Sequence, residues 1–183
     1  MKTISAENLI GHLTGIPIGE RRTVAIAGPP GSGKSTLAGG IDRALNAKSP
    51  GYAGVVPMDG FHFDDEILVR RGIRHLKGAP ETFDSDGFLH MLKRLRSNDA
   101  EEVAVPVFDR GLEISRGGAR IIPRSIRAVI VEGSYLLLDQ DRWNQLRFRY
   151  VGYDRSAARD PEAQVGWAMA RTRQDRTRDR CAS

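Results

Sequence analysis

The sequence predicts an α/β fold in which helices cover a mainly parallel sheet. Three observations carry that expectation. Short apolar runs alternate with amphipathic stretches along most of the chain. The spacing between runs leaves room for a helix, as parallel neighbours require. A glycine-rich loop directly follows the first apolar run and opens a helix.

Taken in order, residues 4–13 place Ile4, Leu9, Ile10 and Leu13 at loosely helical spacing, with Ser5 a candidate N-cap. Gly15, Pro17 and Gly19 mark a turn. Residues 23–27 are apolar enough for a buried strand, and a helix is expected from 34 to about 45. Gly39 and Gly40 weaken that helix by roughly 1 kcal/mol each relative to Ala. Their pairing predicts close packing against the sheet. A second strand is expected over 53–58, a short helix over 64–72, and a longer one over 86–96 with Phe88, Leu89, Leu92 and Leu95 on one side. Residues 103–107 read as an edge strand, because Pro106 cannot donate to a ladder. Residues 127–131 form the clearest remaining buried strand. Beyond Trp143 the pattern fades, although Phe148, Tyr150, Val151 and Tyr153 are spaced for a little strand. The expected organisation is one domain over 1–146 and a basic, divergent or degenerate tail over 147–183.

A chain of 183 residues, 40% of them hydrophobic, is long enough to bury a core of its own. The longest apolar stretch, 128–138, is interrupted by Glu132 and too short to cross a bilayer, so no membrane partner is expected. The first residues lack the apolar run of a secretion signal. Cys181 is the one cysteine, which excludes an intrachain disulfide and points to the cytoplasm. The net charge of +5 sits wholly in residues 142–183, which hold ten Arg, no Lys and five acidic residues. The rest of the chain is balanced, which argues against a nucleic-acid partner.

The loop Gly28-Pro29-Pro30-Gly31-Ser32-Gly33-Lys34-Ser35, followed by Thr36, matches the phosphate-binding P-loop completely. Glycines let the backbone wrap phosphate with its N–H groups inward, and the helix N-terminus adds a favourable dipole. Lys34 is placed to neutralise β- and γ-phosphate oxygens, and Ser35 to offer its hydroxyl to Mg²⁺. The fold expectation sharpens to the three-layer α/β/α sandwich of P-loop NTPases. Val129-Ile130-Val131-Glu132-Gly133 is an apolar strand ending in a carboxylate. Beside a P-loop, such a group holds Mg²⁺ or its water. Asp59 ends the second strand, where open α/β sheets collect ligands. It reads equally as a base for a substrate hydroxyl or as a turn-forming Asp-Gly. His62 reads as a substrate contact or as loop packing.

The P-loop, Met58-Asp59-Gly60-Phe61-His62, Lys77-Gly78-Ala79-Pro80-Glu81-Thr82-Phe83-Asp84 and Val131-Glu132-Gly133-Ser134-Tyr135-Leu136-Leu137-Leu138 occur in one order. Together, over roughly residues 20–146, they resemble the phosphoribulokinase/uridine kinase family, which includes bacterial pantothenate kinases. The resemblance implies transfer of the ATP γ-phosphoryl group to a hydroxyl of a sugar, nucleoside or pantothenate-like small molecule, with Mg²⁺. It implies Asp59 as catalytic base alongside Lys34, Glu132 as the acid near the metal, and Glu81 and Asp84 on the substrate side. Asp84 is also placed to cap the following helix. By the same resemblance Arg110, in Phe108-Asp109-Arg110, either binds an anionic substrate group or forms a surface salt bridge. Dimers are common in the family, so a homodimer stays open. The chain departs from the family at its end, where the C-terminal strand and the arginine-rich lid read as missing or degraded. Arg171-Thr172-Arg173-Gln174-Asp175-Arg176 has lid-like charge without lid spacing. The tail reads as a shortened lid or as the product of a lost reading frame. Two other readings are a switch or motor ATPase and a nucleotide-binding remnant with little catalysis.

Overall fold

A computed structural model describes residues 6–140, 142–146, 148, 150–153 and 166–169. In chain order its elements are α1 (Ala6–Thr14), β1 (Arg22–Ala27), α2 (Lys34–Lys48), β2 (Ala53–Pro57), α3 (Asp65–Arg70) and α4 (Ser85–Ser97). There follow β3 (Glu102–Asp109), β4 (Ile114–Pro123), β5 (Ala128–Gly133), β6 (Tyr150–Tyr153) and β7 (Gly166–Met169). The helix ends follow local chemistry. Asp64 and Asp84 cap α3 and α4 by accepting the N–H groups of Glu66 and Gly87, and Asn98 ends α4 at φ 55°.

Five strands form the main sheet in the order β2-β5-β1-β6-β7. The first four run parallel, and β7 returns antiparallel beside β6. All six residues of β5 are buried, as a strand covered on both faces should be. Alternation divides its side chains between two clusters. Ala128 and Ile130 join Val24, Ile26, Ile41, Leu45 and α1 on one face. Val129 and Val131 join Ala25, Ala27, Phe88, Leu92 and Leu95 on the other. That second cluster continues through Trp143 and Leu146 to Phe148.

The outer edge of β2 carries backbone groups that no strand among the described residues pairs. Asn46 of α2 meets them with its side-chain amide. Its oxygen accepts the N–H groups of Tyr52 and Ala53, and its nitrogen donates to the Ala53 carbonyl at 3.2 Å. The Arg120 guanidinium donates to the Val55 carbonyl at 2.5 Å, and Pro57 has no N–H to offer. The edge is thereby closed to further strands.

Several expectations need correction. Gly39 and Gly40 are not a packing point. An added Cβ at Gly40 would meet nothing within 4 Å, and at Gly39 only the Arg43 side chain of the same helix, at 3.4 Å. The strand read at 103–107 is an edge strand as expected, but of a separate two-stranded hairpin with β4, and its register shifts between Val105 and Val107, around Pro106. The sequence reading missed β4 because its largely exposed residues, with Gly117 and Gly118 at its centre, lack an apolar face. Residues 146–153 had suggested a missing or degraded strand, yet Tyr150–Tyr153 pair with β1 over four residues. Ser5 and the 171–176 arginine run lie outside the described residues.

Two stability outcomes follow. Gly40→Ala, at a helical position with open space around it, should stabilise the chain by about 0.5–1 kcal/mol in chemical denaturation. Asn46→Ala removes this partner from both backbone groups of Ala53 at the β2 edge, whereas the Tyr52 N–H keeps its bond to the Ser49 carbonyl. The substitution should cost roughly 1–3 kcal/mol in the same measurement.

Candidate active site

Parallel register delivers the site. Ile26 lies opposite Glu132 and Ala27 opposite Gly133 on one side of β5, while Pro57 lies opposite Glu132 on the other. The loop after β1, the turn after β2 and the end of β5 therefore meet along one carboxyl edge.

The phosphate loop begins at buried Gly28 and continues through exposed Pro29 and Pro30. Gly31 and Gly33 sit at φ 77° and 85°, conformations that side chains disfavour. Ser32 is 4% exposed, and its hydroxyl has no hydrogen-bond partner among the described residues. Such an orphan is uncommon in a folded interior and suits a loop built around an oxygen-rich ligand. Lys34 is buried too, and its ammonium donates to the Pro29 carbonyl at 2.8 Å. No side chain caps α2, whose N-cap is Gly33, so the positive end of the helix faces the loop. Ser35 and Thr36 are exposed at its first turn.

Asp59 lies in a 3₁₀ turn, Met58–Phe61, directly after β2. Gly60 presses against the hairpin backbone: a Cβ there would overlap the Pro106 carbonyl, and the Ser115 hydroxyl donates to the Gly60 carbonyl. His62 Nδ1 donates to the Asp59 carbonyl at 2.8 Å. Its ring lies 3.9 Å from that of Phe83 and 4.9 Å from that of Phe108, centroid to centroid. Backbone bonds from Phe63 to the Thr82 carbonyl and from Asp84 to the Phe61 carbonyl zip this turn to the 80–84 segment. Thr82 is fully buried; its hydroxyl donates to the Ala79 carbonyl and accepts the Gly78 N–H, which shapes that segment.

Charge is distributed unevenly here. Glu132 is only 6% exposed. Burial pushes its carboxyl above the ordinary value, and the Asp59 charge pushes it further. Lys34, the Ser35 hydroxyl and Arg110 draw it back. Arg110 Nη2 donates to Asp59 Oδ2 at 3.0 Å. Asp59, Glu132, Lys34, Ser35 and Arg110 thus form one electrostatic group. Asp84 takes up the capping role, its carboxylate accepting the Gly87 N–H at 2.8 Å. Glu81 is exposed on the neighbouring turn.

Tyr135, just past β5, escaped the residue-level reading. Its hydroxyl donates to the Gly78 carbonyl at 2.6 Å. Burial raises its pKa, and Glu81 and Asp59 add to the shift, so it borders the same space. The signal for it was position alone: a tyrosine three residues after the strand-end carboxylate. A cavity of ≈ 570 Å³ opens from Ser35 and Glu132 along the β2 edge to Asp42 and Arg120.

Comparison with known proteins agrees with the fold and the motif order. No protein-family model matches the chain. The "Putative uridine kinase" of Schizosaccharomyces pombe is 34% identical over 130 residues, covering 68% of this chain and 55% of that protein. The pantothenate kinase of Rhodococcus erythropolis is 37% identical over 117 residues, covering 62% of this chain and 37% of that one. The crystal structure of a "putative fructose transport system kinase" from Silicibacter sp. TM1040 superposes with a TM-score of 0.69 at 41% identity, covering 78% of this chain and 69% of its own. The chain spans about half the length of the first curated relatives it matches. Motif order, strand order and these likenesses agree: the chain belongs to the phosphoribulokinase/uridine kinase family of P-loop kinases.

Proposed function

We propose that the chain transfers the γ-phosphoryl group of ATP to a hydroxyl of a small molecule. The observation that carries this reading is Asp59 held at the same sheet edge as the phosphate loop and Glu132. Hydroxyl-directed transfer needs a carboxylate base in that position, and acceptor-stimulated turnover separates it from a switch or motor ATPase, whose carboxylate would activate water.

The loop N–H groups and the α2 N-terminus bind the phosphates, and Lys34 exchanges its Pro29 contact for β- and γ-oxygens. The Ser35 hydroxyl and Glu132 carboxylate are hard oxygen donors. Magnesium needs only one or two such protein oxygens beside phosphates and water, so this donor set fits it. Bound there, the metal would offset charge on the transferring group. Asp59 accepts the proton as the acceptor oxygen bonds to the γ-phosphorus and the bridging P–O bond breaks, its electron pair leaving with ADP. His62, Tyr135, Glu81 and Asp84 border the acceptor, which is a sugar, nucleoside or pantothenate-like alcohol. Likeness to the named kinases, with their ATP-dependent relatives, supports the donor and the acceptor class.

The test is ATP consumption across a panel of sugars, nucleosides and pantothenate. Acceptor-stimulated turnover is expected, and Asp59→Ala should lower it about 10²–10⁴-fold. Equal, acceptor-independent hydrolysis by both proteins would count against the kinase, and binding without turnover would favour a remnant.

Glu132 gives a stability prediction of defined sign. Its folded pKa is raised, so the ionised form costs stability above that pKa, and the cost fades as pH falls below the unfolded value. Glu132→Gln should therefore melt higher than the parent at pH 7, with the gap closing toward acid. The same variant should bind Mg–ATP more weakly by calorimetry.

A further inference from the structure

Asp59 does not stand bare. Its Oδ2, one of two oxygens able to take the acceptor proton, is held by Arg110 at 3.0 Å. The two side chains differ in setting: Asp59 is 32% exposed and Arg110 is 79% exposed. The guanidinium therefore lies over the carboxylate from the solvent side. Exposed pairs of this kind add little to stability, so the contact is easily exchanged for another.

The hairpin holds Arg110 where it is. Asp109, at the end of β3, accepts the N–H groups of Gly111 and Leu112 and pairs with Arg116 at 3.2 Å. That fixes the backbone on either side of Arg110 while its side chain reaches out. The neighbouring cations are engaged elsewhere. Lys77 pairs with Asp65 and Glu113, and Arg74 pairs with Asp65. Arg110 differs in that its partner is the proposed catalytic base.

Resting on the kinase reading, we infer that Arg110 guards Asp59 until an anionic group on the acceptor draws it off. The acceptor is then a hydroxyl compound that also carries a carboxylate or phosphate. A guanidinium matches either group with two parallel hydrogen bonds, which one oxygen of Asp59 does not offer it. When Arg110 moves to the acceptor anion, Oδ2 is released to take the hydroxyl proton. The same contact aligns the acceptor, so recognition and unmasking of the base are one event. A neutral alcohol reaches the site without displacing Arg110. Water does the same, and the guard thereby suppresses wasteful ATP hydrolysis. Arg110 is on this account a specificity-determining residue.

Matched acceptor pairs test the inference: pantothenate with pantothenyl alcohol, glycerate with glycerol, and fructose 6-phosphate with fructose. Each pair differs in the anionic group. The parent chain should prefer the anionic member of the pair it uses by about tenfold or more in kcat/KM. Arg110→Ala should lower kcat/KM for that member, raise it for the neutral one and so erase the preference. Arg110→Lys should restore part of it. Equal use of both members by the parent, or an equal fall for both in Arg110→Ala, overturns the inference and leaves the kinase intact. Transfer to none of the six compounds overturns the anionic-acceptor inference, and the wider panel with nucleosides then decides the kinase reading. A second measurement needs no acceptor. Arg110→Ala should hydrolyse ATP faster than the parent, and adding Asp59→Ala should remove the increase; absence of any increase overturns the guard.

Discussion

Everything at this site depends on the register of three parallel strands. With Pro57 and Ile26 both opposite Glu132, the ends of β2, β1 and β5 fall at one level. The phosphate loop, the Asp59 turn and the Glu132 carboxylate are then neighbours without any long side chain having to reach. A slip of one residue in β5 would turn Glu132 to the opposite face of the sheet. Register in turn is held by burial, because β5 is apolar on both faces and each face has its own cluster.

That placement has an electrostatic cost. It buries Glu132 close to Asp59, and two carboxylates so placed oppose each other's ionisation. The opposing charges come from separate elements: Lys34 and Ser35 from the start of α2, Arg110 from the hairpin. A metal ion and the phosphates it accompanies would complete the balance. The site is thus a set of partial pairings: Lys34 on a carbonyl, the Ser32 hydroxyl without a partner among the described residues, Arg110 on Asp59. Each is a contact that a ligand improves.

Much of this was legible in the sequence, for physical reasons. β1 and β5 are doubly buried strands, so they appear as continuous apolar runs, and the P-loop announces itself because few backbones other than glycine take its turns. Helix α4 was found through Phe88, Leu92 and Leu95 at helical spacing. The hairpin was half read, since β4 is polar, exposed and rich in arginine and glycine. Nothing local marks Asn46 as the clasp of the β2 edge, because the groups it serves are six and seven residues away in sequence and defined only by the sheet. Asp84 and Arg110 each carry two readings in the sequence. The structure shows the cap and the salt bridge, and both are compatible with a place beside the acceptor.

The central claim is that the phosphate loop and Asp59 serve one reaction. A crystal structure with magnesium and a non-hydrolysable ATP analogue tests this most directly. The account predicts the triphosphate wrapped by residues 28–35, the metal touching Ser35 and Glu132, and the γ-phosphoryl group facing Asp59 with room for a hydroxyl between them. A triphosphate bound elsewhere, or a γ-phosphoryl group turned away from Asp59, would contradict it.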